Sequence, residues 1–119
     1  MCESSHDDNS ADLASAETIQ KIKRACEWDK IDLGGSAQYH VRFWRIGRTG
    51  LRTAVERHVD AGRKIYQKYD RTGVLLEKHF DANVTIFDGK DVYVEMILTE
   101  GVLVVLNAHE HTTRTRLPQ

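Results

Sequence analysis

The sequence has little that could cross-link or anchor it. It holds two cysteines, Cys2 in a polar stretch and Cys26 in a helix-like run. A bridge between them would tie a loose end to a helix for small gain, and no CxxC pair is present. Reduced thiols are therefore expected, and a zinc ribbon is not. No apolar run approaches the roughly 18 residues that a membrane-spanning helix needs, so no membrane is expected as a partner. The opening, MCESSHDDNSADLAS, has neither a basic start nor a hydrophobic stretch, which speaks against a secretory signal and for a cytoplasmic protein. No internal repeat is visible. What remains, with 119 residues, 40% apolar and 29% charged, has the size and balance of one small domain with a disordered end. Residues 1–10 are expected as a disordered acidic tail and residues 11–119 as a single α+β domain.

What the chain does have is charge sorted by position. The net charge of −1 conceals five acids and no Lys or Arg in residues 1–18, then ten Lys or Arg against four acids in residues 38–78. Residues 79–110 swing back to acid, and the last nine are basic. Positive charge gathered in the middle of a chain suits phosphate-bearing partners if it folds into one patch, and means little if it is spread and paired.

Leu13, Ala16, Ile19, Ile22 and Cys26 recur at spacings of three and four, which predicts an amphipathic helix capped near Ser10 or Ser15. LGG at 33–35 breaks that pattern. YHVRFWRI (39–46) fits a strand by its β-branched and aromatic content and a helix by Tyr39, Phe43 and Ile46. A further helix runs through Leu51, Val55 and Val59 to Gly62. Five short segments follow, KIYQKY, VLLEKHF, ANVTIF, DVYVEMIL and VLVVLNAH, three of their junctions marked by DRTG, DGK and TEG. The expected fold is α+β, with one or two N-terminal helices packed on a four- to five-stranded antiparallel meander.

The chain ends in HEHTTRTR before its last three residues. On a strand, His109 and His111 point the same way, as a metal-binding HxH would. No third or fourth ligand stands at useful spacing, and His79 and Asp81 could join only through a sheet pairing, so neither metal nor cofactor is expected. The same residues suit metal-free RNA cleavage, which needs a base for the 2′-hydroxyl proton, an acid for the leaving oxygen and fixed donors for the charge that builds on phosphorus. His109 or His111 fits the proton roles, Arg114 or Arg116 with Lys23 or Arg24 the phosphate, and Thr113 a hydroxyl donor. Strand alternation sets both arginines on the face opposite the histidines unless the strand bends. His40, Arg42 and Arg45, interleaved with Tyr39, Phe43 and Trp44, pair charge with rings as single-stranded nucleic acid binding does. Lys21 and Lys23 add basic residues on the first helix. A non-catalytic nucleic-acid- or protein-binding module built on residues 39–48 is the competing expectation.

IQKIKRACEWD (19–29) resembles the KxKHAxxFG opening of colicin-D-like ribonuclease toxins, with Lys21, Lys23, Ala25 and Trp28 at the Lys, Lys, Ala and Phe positions. Arg24 stands where that family has its catalytic histidine and Asp29 where it has glycine. The order of elements is similar to the wider barnase, colicin and RelE-type fold, and VVLNAHEHTTRTRLP is similar to the last strand of RelE and HigB-type toxins. The resemblance implies a bacterial toxin-type ribonuclease that acts on tRNA or mRNA without metal, restrained by an acidic antitoxin or immunity protein.

Overall fold

The computed structural model describes residues 13–86 and 89–110. The expected acidic tail and His111, Thr113, Arg114 and Arg116 lie outside these residues. The Ser15 hydroxyl accepts from the Thr18 N–H and caps α1 (Ala16–Glu27), whose buried stripe is Ile22, Ala25 and Cys26. Asp29, at φ 59, turns the chain out of the helix into β1 (Ile31–Leu33). Residues 39–43, ambiguous from sequence, belong to a helix, α2 (Gly35–Phe43), which buries Ala37 and Val41 four residues apart and leaves Tyr39 and Phe43 exposed. The third helix, α3 (Gly47–Asp60), buries Leu51, Ala54, Val55 and His58 and stops at Gly62, whose φ of 70 suits glycine.

Four strands follow: β2 (Tyr66–Tyr69), β3 (Leu75–Thr85), β4 (Asp91–Thr99) and β5 (Val102–Glu110). They run antiparallel in sequence order, but β1 joins β5 in parallel, so the sheet is mixed, ordered β1-β5-β4-β3-β2. Three expectations are corrected here. The described residues form three helices, not one or two, because residues 35–43 add α2. The sheet is not a pure meander, because IDL at 31–33 supplies a parallel edge strand. VLLEKHF and ANVTIF are not separate strands but one, β3. Asp81, the polar residue between them, is buried and takes a hydrogen bond from the Tyr93 hydroxyl, so the chain has no need to turn outward there.

The helices cover one face of the sheet. Val92, Val94 and Met96 of β4, Ala82 and Val84 of β3, and Leu103, Val105 and Ala108 of β5 meet Ile22, Cys26, Leu51 and Val55 there. Each large side chain fully removed from water contributes about 1.5–3 kcal/mol. Alternation sends the intervening residues to the other face, where cross-strand register stacks two polar rows: Asp81, Glu95 and Asn107 in one, Asn83, Tyr93 and His109 in the next. β1 pairs only with residues 103–105 of β5, so α2 lies along the remainder of that strand. Gly34 makes this approach close: its N–H donates to the Val105 carbonyl at 2.7 Å, and a β-carbon there would meet the Leu106 carbonyl oxygen at 3.1 Å.

Candidate acid–base site

The polar sheet face is a set of mutually fixed side chains. Its buried carboxyl is Asp81, whose Oδ2 accepts from the Tyr93 hydroxyl at 2.9 Å. Burial pushes the Asp81 carboxyl up to about 6, against the opposing pull of the Tyr93 bond and the Lys68 charge. Burial, with Asp81 alongside, also drives the Tyr93 phenol upward, so Tyr93 is a hydrogen-bond donor rather than a phenolate. Lys68 reaches in from β2 to Glu95 Oε2 at 3.0 Å and lies 3.4 Å from the Tyr93 oxygen. Asn107 donates to the other Glu95 oxygen at 2.7 Å. Burial works to raise the Glu95 carboxyl, but the Asn107 and Lys68 bonds and the nearby His79 outweigh it and hold Glu95 below its ordinary range.

At the rim two histidines meet. His109 lies over Tyr93 with ring centroids 5.1 Å apart, and His40, carried on α2, faces it at 6.5 Å. Each places Nδ1 at 2.9 Å from a backbone carbonyl, His109 from Glu110 and His40 from Ser36. A carbonyl oxygen only accepts, so Nδ1 carries the proton in both rings. In each neutral imidazole the basic lone pair then sits on Nε2. The site therefore offers two oriented imidazoles, a protonatable buried carboxyl, a neutral phenol and a lysine–glutamate pair. Such a set supports paired proton transfer. Among the described residues, no three His, Cys, Asp or Glu side chains converge where a metal ion could be held.

The other sequence candidates divide. His109 and His40 come together from distant parts of the sequence. Arg42 and Arg45 are exposed on and just after α2, and Arg45 adopts φ 62. Lys23 is engaged between α1 and α3, 2.5 Å from Asp60, 3.2 Å from Glu56 and 3.9 Å from Glu27. Its bond with Asp60 raises its pKa. Lys21 and Arg24 point to a different part of the surface, with Arg24 5.9 Å from the centre of the Trp28 ring. Sequence reasoning does not single out Lys68, Tyr93, Glu95 or Asn107. Their signal is the polar residue at every second position of an otherwise apolar strand, as in Asp81 and Asn83, Tyr93 and Glu95, and Asn107 and His109.

Set against protein-family models, curated proteins and solved structures, the chain matches none.

Proposed function

We propose that the protein is a metal-independent ribonuclease of the bacterial toxin type, acting in the cytoplasm on tRNA or mRNA, with His40 and His109 as its acid–base pair. The observation that carries this reading is the encounter of two histidines 69 positions apart in sequence, both oriented by backbone carbonyls so that Nε2 is left for proton transfer. One neutral imidazole removes the 2′-hydroxyl proton as that oxygen bonds to phosphorus. The other, protonated, gives a proton to the 5′-oxygen as the P–O5′ bond breaks. The products are a 2′,3′-cyclic phosphate and a 5′-hydroxyl, and the pair has exchanged protonation states. Charge on the phosphorane falls to Lys68 and to Arg114 and Arg116, which follow β5 in sequence, with Thr113 as a hydroxyl donor and His111 as a reserve base. An acidic antitoxin or immunity protein is the partner this reading calls for.

The test is incubation of the purified protein with total tRNA and an mRNA in EDTA, with His40→Ala and His109→Ala beside it and all three checked for equal folding by circular dichroism. Cleavage leaving cyclic phosphate ends, slowed about 10²–10⁴-fold in each variant, is the expected result. Cleavage untouched by either substitution, or none by the parent protein, refutes the reading. A second reading is a non-catalytic binding module on residues 39–48, favoured by the stacked Tyr39 and Phe43 rings, 65% and 66% exposed beside Arg42. Retention of RNA without cleavage would favour it.

A further inference from the structure

A second site lies on the helix side of the sheet. There α1, the start of β3 and the β4–β5 turn enclose an open groove of about 720 Å³. Lys21 and Arg24 enter it from α1, Lys30 from the segment after α1, and Lys78 from β3. Two carboxylates, Glu77 and Glu100, share its lining. None of the four cations has an ion-pair partner among the described residues, whereas Lys23, Arg48 and Arg52 nearby are all paired. The fold thus engages Lys23, Arg48 and Arg52 in its own ion pairs and leaves the groove cations without one among the described residues.

Two features suggest that the groove is arranged for a ligand. Trp28 forms part of the wall, is 63% exposed, and stands against the Arg24 guanidinium. A large ring left in water and flanked by cations is a platform for a flat ligand. Lys78 is held at φ 66, a left-handed backbone that L-residues other than Asn and Asp rarely adopt. It sits in a bulge where residues 77–79 of β3 have no partner on β2, the ladder passing from Gln67↔Phe80 directly to Lys68↔Leu76. Bulges of this kind re-aim side chains, and here the re-aimed residue is a cation lining the groove.

We infer that this groove binds a short single-stranded stretch of nucleic acid, with phosphates on Lys21, Lys30 and Lys78 and one base stacked on Trp28. The site lies away from the histidine pair and needs no catalysis.

The experiment uses the full chain and a fluorescently labelled oligothymidylate of about six nucleotides, within the footprint of small single-strand sites. DNA has no 2′-hydroxyl to attack, so this binding and the cleavage proposed above can fail separately. Binding is expected with a slope of log K against log salt near −2, about 0.7 for each of three phosphates. Trp28→Leu is expected to weaken it about tenfold, the scale of one lost base stack. Lys21→Glu with Lys78→Glu should abolish it, while Lys64→Glu, outside the groove, should leave it unchanged. All replaced side chains are at the surface, and matched melting curves confirm folding. Absence of binding, binding that survives Trp28→Leu and Lys21→Glu/Lys78→Glu, or equal competition by polyglutamate would each overturn the inference, the last in favour of an acidic protein segment.

Discussion

Replacing Asp81 with asparagine is predicted to stabilise the protein at neutral pH. The fold disfavours the charged form of this side chain: burial lifts it from an ordinary value of about 4 to about 6. The folded protein therefore keeps its proton up to about pH 6, while the unfolded chain releases it near pH 4. The stability associated with this group is complete below about pH 4 and declines as pH rises to about 6. At about 1.4 kcal/mol per pH unit, the ionised carboxylate costs the fold about 3 kcal/mol at pH 7. In Asp81→Asn the amide carbonyl would accept the Tyr93 hydrogen bond, and no charge would be buried. The amide N–H groups bring donors that the site does not fully satisfy, which returns about 1 kcal/mol. A net gain of about 2 kcal/mol at pH 7 is expected, or about 6–12 °C in melting temperature, vanishing or reversing near pH 4. His58 titrates in an overlapping window with the opposite sign. Burial lowers its pKa, so its contribution is lost as pH falls through about 6.5. Both proteins carry His58, so it cancels in the difference between their urea midpoints, measured in steps from about pH 4 to pH 7. A difference independent of pH, or a variant less stable than the parent at pH 7, would show that Asp81 is not a strained carboxylate.

Two further outcomes test the frame around the sites. Lys23→Met should lower the melting temperature, because Glu56 and Asp60 lose their shared cation, and the loss should shrink in high salt. Oligonucleotide binding should not change in that variant, and a loss of binding with folding intact would place Lys23 in the ligand site instead. Gly62→Ala should cost about 1–2 kcal/mol, since a side chain at φ 70 strains the end of α3; an unchanged urea midpoint would show that the turn relaxes freely.

Local pattern was enough to read some elements. The α1 stripe, the capping Ser15 and the apolar β5 are visible in the sequence, and the DRTG turn places Gly73 at the left-handed φ of 85 that it requires. The elements that were not legible depend on distant partners. β1 is three residues long with a charged centre, and it becomes a strand because residues 103–105 lie beside it. Nothing in IDL announces that pairing. α2 has no side-chain cap, and its exposed Tyr39 and Phe43 mimic the apolar content of a strand. Asp81 reads as a break between strands until Tyr93, twelve residues on, supplies its hydrogen bond. For the candidate site, His109 was legible because it ends an apolar run and His40 because it sits among arginines and rings. Their meeting was not, since it depends on α2 lying along β5 through the close contact at Gly34.

The bulge at residues 77–79 also bears on how the protein avoids its own kind. A sheet is exposed to strand-by-strand growth at its two borders, β1 and β2 here. Neither offers a long template. β1 is three residues long and is followed directly by α2, and β2 is four residues long, meets Leu13 at Tyr66, and loses register at Lys68. Deleting residues 77–79 would bring Gln67↔Phe80 and Lys68↔Leu76 into one register and join the two halves of the β2–β3 ladder. The expected phenotype is fibrous self-association, seen as thioflavin-positive material from a chain whose core side chains are all unchanged.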